Sequence, residues 1–170
     1  MRSFAVRRLS PRDQGVIETV HLLGQVSAGQ LLRLHFVDGS PVTRGTRMRR
    51  TMTRLSERGL VAQVPNRWIG GYGGGSGGYL YQAPGSRSRT HRDHRIAIAE
   101  LYVRAIEAER AGQFIMTTFA CEPACYCRVG ALDLKPDAAL TLSRSTALRN
   151  GRGRLRAAPF RWCCLSSVTS

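Results

Sequence analysis

Residues 43–59 read TRGTRMRRTMTRLSERG, and the fold turns on how this stretch is read. Met48, Met52 and Leu55 recur at intervals of four and three, which draws one apolar stripe along a helix. Six arginines (Arg44, Arg47, Arg49, Arg50, Arg54, Arg58) stand in the stretch against one acid, Glu57. Arg47, Arg50, Arg54 and Arg58 recur at three and four along a second stripe. A helix with one face for a core and another for phosphates suits a DNA groove. A solvated, charged surface helix has the same composition, so the flanking sequence has to separate the two uses.

Upstream, Ser10-Pro11 opens a first helix, with Ser as cap and Pro in the first turn. Val16, Ile17, Val20 and Leu23 mark its buried face, and Gly24 ends it. Ser27 caps a second, short helix with Leu31, Leu32 and Leu34 inward, and Asp38-Gly39-Ser40-Pro41 is a turn. The arginine helix follows and ends at Gly59. Residues 60–69, LVAQVPNRWI, read as a strand, residues 70–78, GGYGGGSGG, as a loop, and Tyr79-Leu80-Tyr81 as a returning strand. The glycines fit a plain linker or a hairpin tip, and the β-prone flanks favour the tip. Three helices followed by strand, glycine loop and strand is the order of a winged helix-turn-helix. Its third helix enters the major groove, and its wing touches the adjacent backbone or minor groove.

The chain has 170 residues, a net charge of +15 and a pI near 11.2. An apolar content of 42% provides for a core and argues against global disorder. The positive balance points to polyanions as partners. Of the basic residues 25 are Arg and one, Lys135, is Lys; the bias suits phosphate recognition, and a GC-rich genome produces the same bias through codon usage. Residues 1–90 carry net +10, residues 91–142 net −1, and residues 143–170 six Arg and no acid. The start, MRSFAVRRLSPRD, has no apolar core of a signal peptide, and no apolar run reaches membrane-spanning length. The expected location is the cytoplasm, with reduced cysteines and no membrane partner.

The reading of the whole is α+β: a winged helix-turn-helix over 9–83, a linker over 84–90, and a partial α/β segment over 91–142. In that segment 91–112 is a helix with Ile96, Ile98, Ala99, Tyr102, Val103 and Ile106 on its apolar side, followed by a strand over 114–119. Residues 131–142, ALDLKPDAALTL, read as a loop and then a strand. The 91–112 helix can pack on these strands or serve as the face of a homodimer. His91 and His94 lie one turn apart without a third ligand nearby, so packing or solvent roles are expected of them. Cys121, Cys125 and Cys127 form C-x3-C-x-C, and Cys163 and Cys164 are adjacent; neither group has the C-x2-C spacing of a zinc knuckle. No metal and no cofactor are expected.

Three blocks taken in order resemble one family. LSPRDQGVIETVHLLGQVSAGQLLRLHF, then TRMRRTMTRLSERGLV, then a glycine-rich wing and LKPDAALTL are similar to the replication-relaxation family of actinobacterial and plasmid-borne proteins. The likeness covers residues 9 to about 142. It rests on an arginine-rich third helix ending RLSERGLV, a helix opening at His91, and Lys135-Pro136-Asp137-Ala138. The resemblance implies an N-terminal winged DNA-binding module and a role in plasmid or mobile-element replication or transfer, with a replication or transfer protein as a further partner.

The sequence departs from that pattern after Leu142. The family continues with an acidic strand resembling VEVDRATE, whereas residues 143–150 are SRSTALRN. These residues can be encoded TCG AGG TCG ACC GCG CTA CGG AAC. Read from one base earlier, after a preceding G, the same bases spell VEVDRATE. The expectation is that 143–170 is a frameshifted, poorly ordered tail without evolved function, which would truncate the second segment and leave an exposed sheet edge.

The function expected is non-catalytic binding of double-stranded DNA. Arg44, Arg47, Arg50 and Arg54 are expected to face the groove and Arg49 and Arg58 backbone or solvent, with Thr43, Thr46 and Thr51 adding phosphate or base contacts and Arg67 and Arg87 reaching phosphate from beside the wing. A winged-helix transcriptional regulator is a close alternative. A nuclease would need clustered carboxylates for a divalent metal and a lysine near the attacking water. Glu100, Glu122 and Asp137 supply acids, but Lys135 precedes Asp137 and no (D/E)-x-K follows, so no catalytic residue is expected. A protein-docking role for 91–142 is the third class. Resequencing of the gene tests the tail: a one-base difference near codon 143 is expected to restore the acidic strand, and an intact frame in several isolates would rule the frameshift out.

Overall fold

A computed structural model describes residues 9–65, 78–86 and 92–144, and the backbone of 159–160. It is a mixed helix and strand protein with the element order α1 (Pro11–Leu23), β1 (Gln25–Ser27), α2 (Ala28–His35), α3 (Pro41–Glu57), β2 (Ala62–Gln63), β3 (Leu80–Gln82), α4 (Arg92–Arg110), β4 (Phe114–Cys121), β5 (Cys127–Val129), β6 (Leu132–Leu134), β7 (Ala138–Arg144) and β8 (Pro159–Phe160). The chain divides into two compact units, Met1–Ala99 and Glu100–Ser170. The expected linker at 84–90 falls in part, from 87 on, outside the described residues.

In the first unit both short helices are set by capping boxes. Ser10 Oγ accepts the Asp13 N–H while Asp13 accepts the Ser10 N–H, and Ser27 and Gln30 make the same exchange. Gly24 stops α1 at φ 73, and a Cβ there would stand 2.6 Å from an Arg95 guanidinium nitrogen. Between Gly24 and Ser27 the chain forms β1, three residues too few to show as a strand in the sequence. It pairs antiparallel with β3, with Val26 opposite Tyr81, and β3 pairs antiparallel with β2, giving the strand order β1-β3-β2. The core beneath this sheet is Val16, Val20, Val26, Leu31, Met52, Leu55, Val61 and Leu80, each at most 2% exposed. Ile17 and Leu32, expected inward, are half-buried. Gln30 ties α2 to the first turns of α4 by donating from Nε2 to the Ile96 carbonyl at 3.1 Å. The strand expected over 60–69 is described as β2 alone, and residues 66–77, with most of the glycine loop, lie outside the described residues.

In the second unit β4 and β7 pair antiparallel from Phe114 opposite Arg144 to Cys121 opposite Ala138, with an irregularity between Met116 and Thr118. The α4 residues Val103 and Ala105 are buried, and Tyr102 meets Phe119 edge to face at 4.9 Å. Glu109 Oε1 accepts the Met116 N–H at 3.1 Å. Residues 131–142 hold more than the loop and strand expected of them. Leu132–Leu134 is a strand, β6, which forms a two-stranded ribbon with β5. The β7 strand runs across the tail boundary expected after Leu142. Ser143 and Arg144 continue β7, Ser143 is 2% exposed, and Leu142 and Ser143 pair with Phe160 and Pro159 of β8. The ladder thus extends past the point where composition changes, and β7 is paired on both sides at Leu142 and Ser143. Residues 145–158 and 161–170 lie outside the described residues.

Two measurements check this packing. Leu55 is fully buried, so Leu55→Ala is expected to lower unfolding free energy by about 2–5 kcal/mol in urea titrations. Burial, reinforced by Tyr79, pushes the Tyr81 phenol above its ordinary value of about 10. The neutral phenol is the form the fold favours, so its contribution is full below about pH 10 and is lost as pH rises through the raised folded value. Tyr81→Phe is expected to unfold less readily than the parent chain above pH 10; an identical alkaline transition would show that this phenol does not govern it.

Candidate nucleic-acid interface

The arginine helix is built as α3 and starts two residues before the stretch that predicts it. Ser40 caps it by accepting the Thr43 N–H at 3.3 Å, and Pro41 occupies its first turn. It ends where Gly59 takes φ 66, which lets the Gly59 N–H reach the Ser56 carbonyl and the Leu60 N–H reach the Leu55 carbonyl. Met48, Met52 and Leu55 are buried, as their spacing requires, and this fixes the azimuth of the whole helix.

The structure separates the site residues expected on this helix. Arg47 and Arg50 are exposed and make no hydrogen bond or ion pair among the described residues. Thr43 is half-buried, its hydroxyl 2.9 Å from the Ser40 hydroxyl within the cap. Thr46 accepts from Arg49 Nη2 at 3.4 Å, which holds Arg49 along the helix surface. Arg44 is half-buried, with its Nε enclosed and without a hydrogen-bond partner. Thr51, expected to add a phosphate or base contact, is buried at 7% exposed. Position 51 lies between Met48 and Leu55 at three and four residues, so its small side chain joins the apolar stripe. Arg54, expected in the groove, pairs with an acid, its Nη2 2.7 Å from Asp13 Oδ1. Arg67 and Arg87 lie outside the described residues.

Asp13 is the residue that sequence reasoning missed. It is 6% exposed and uses both oxygens: Oδ2 accepts the Ser10 N–H at 3.4 Å, and Oδ1 accepts from Arg54. In sequence it reads as a first-turn acid of α1, and nothing couples it to a residue 41 positions away. The start of α1 and the polar side of α3 together line a cleft of about 460 Å³, bordered by Ser10, Arg12, Asp13, Arg47, Arg50, Thr51, Arg54 and Arg58. Arg12 was also missed; its guanidinium lies 5.4 Å from the centre of the Phe36 ring. The arginine stripe that the spacing drew therefore faces one cleft, joined there by an arginine from α1.

The other candidates fall in the second unit or at its border. Among the described residues no group of three or more His, Cys, Asp or Glu stands close enough together to hold a metal ion. Glu100 pairs with Arg104 at 3.2 Å, and Glu122 accepts from the Tyr126 hydroxyl at 3.3 Å. The Cys125 thiol is buried and donates to the Pro136 carbonyl at 2.8 Å; burial, then the nearby Glu122 and Asp137, push its pKa up, which disfavours the nucleophilic thiolate. Cys121 and Cys127 are half-buried and form no disulfide among the described residues, whereas His91, Cys163 and Cys164 lie outside the described residues. No helix among the described residues is long and apolar enough to cross a membrane.

No family model, curated protein or solved structure matches the chain.

The geometry distinguishes structural from solvent-facing charges on one helix. Asp13→Ala removes the N3 half of the α1 capping box and the partner of Arg54, and is expected to cost about 2 kcal/mol in chemical denaturation. Arg47→Ala and Arg50→Ala are expected to stay within about 0.5 kcal/mol of the parent chain. Equal losses at all three positions would place Arg47 and Arg50 in the fold's own support.

Proposed function

We propose that the first unit is a winged helix-turn-helix and that the chain is a non-catalytic, double-stranded-DNA-binding protein. The observation that carries this reading is the pair Arg47 and Arg50: exposed, without acid partners among the described residues, on a helix whose opposite side is locked into the core. Guanidinium groups left in this state on a rigid element are suited to phosphate oxygens and base edges. The element order α1-β1-α2-α3-β2-β3 with sheet order β1-β3-β2 supports the winged-module reading. The net charge of +15 supports a polyanionic partner, whose counterions would be released on binding. The resemblance to the replication-relaxation family adds the proposal of a cytoplasmic role in plasmid or mobile-element replication or transfer, with a protein of that machinery as a second partner.

Anisotropy of a labelled random duplex titrated with the full chain over a salt series tests the reading. Arg47→Ala/Arg50→Ala is expected to weaken binding at least about tenfold and to lower the log-log salt slope by about two units. Arg104→Ala/Arg128→Ala removes the same charge from exposed ion pairs of the second unit and is expected to change neither. Equal effects of the two double variants would mean that net charge alone drives association, and the groove-reading role of α3 would be withdrawn.

A further inference from the structure

We infer that the cleft between the start of α1 and α3 seats a backbone phosphate of the bound duplex, with Arg12 and Arg58 as contact residues beyond the exposed pair Arg47 and Arg50. This inference rests on the DNA-binding reading above. Five guanidinium groups, those of Arg12, Arg47, Arg50, Arg54 and Arg58, border the cleft against the single carboxylate of Asp13. That carboxylate is already spent, one oxygen on the Ser10 N–H and the other on Arg54. Five cations around one space repel each other, and an anion placed among them removes that repulsion.

The Arg12 donors are also held ready. Arg12 lies over the Phe36 ring at 5.4 Å, and attraction to a ring face consumes none of the five N–H donors of a guanidinium. Arg54 is fixed by its 2.7 Å bond to Asp13, which makes it a positioning residue in the wall of the cleft. The Arg47/Arg50 face runs directly into the cleft, so one duplex strand can engage both. This continuity favours nucleic acid over an acidic protein, and phosphodiester oxygens suit forked donors.

The test uses the full chain, a labelled duplex and a salt series. Arg12→Gln and Arg58→Gln are each expected to lower the log-log salt slope by about one unit, and the pair by about two. Arg12→Lys keeps the charge and is expected to keep the slope, which guards against a loss caused by the fold. Arg49→Gln, on α3 but outside the cleft, is expected to leave the slope unchanged. Wild-type binding with unchanged slopes in both Gln variants, or an equal drop in Arg49→Gln, would overturn the cleft assignment while DNA binding stands. No duplex binding by the wild type would overturn both readings. Arg12-dependent shifts of arginine side-chain NMR signals on adding inorganic phosphate, with duplex slopes unchanged, would make the cleft a site for the free ion and overturn its assignment to the backbone. Arg12-dependent binding of polyglutamate in preference to duplex would assign it to an acidic protein, again overturning it.

Discussion

Asp13 joins the start of α1 to the far turns of α3, and the charged surface of the first unit depends on that joint. Asp13 is 6% exposed, a position that is costly for a charge unless both oxygens are satisfied. One oxygen completes the cap of its own helix and the other takes Arg54 at 2.7 Å. The second bond joins α1 to α3 at the wall of the cleft. Arg54 remains partly exposed, at 44% of its side chain, so solvent screens the pair and its value lies more in geometry than in net stability.

Around that joint the apolar stripe and the arginine stripe of α3 do separate jobs. Met48, Met52 and Leu55 bind the helix to the core, and this fixes which residues turn outward. A helix so clamped presents Arg47 and Arg50 with little reorganisation, which is what binding to a stiff polyanion favours. The neighbouring arginines are not equivalent to them. Arg49 leans on Thr46, Arg54 is held by Asp13, and Arg44 has its Nε enclosed. Six arginines in one stretch therefore fall into at least three physical states.

Much of the first unit was legible because its signals are local. Ser10-Pro11 and Ser27 mark helix starts by capping chemistry that acts within three residues, whereas Ser40-Pro41, read in the sequence as part of a turn, caps α3. Gly24 and Gly59 mark stops because a left-handed backbone is cheap only for glycine. The strands were less legible. β1 and β5 have three residues each, too few for an alternating pattern to emerge, and they exist through their partners β3 and β6. The change of composition at residue 143 suggested a boundary that the β4–β7 ladder runs past by two residues, since pairing depends on backbone register rather than on side-chain type.

The sequence by itself determined that this chain has an arginine helix with one apolar face, where most helices of the first unit begin and end, and that its net charge is strongly positive. Those properties follow from spacing, capping and net charge, which are additive along the chain. Tertiary structure alone decided which arginines are available. Thr51 went inward because of its azimuth, Arg54 was taken by an acid 41 residues away, and Arg12 was brought to the α3 stripe from another helix. Each of these is a contact between residues distant in sequence, and such contacts come into being only when the helices pack.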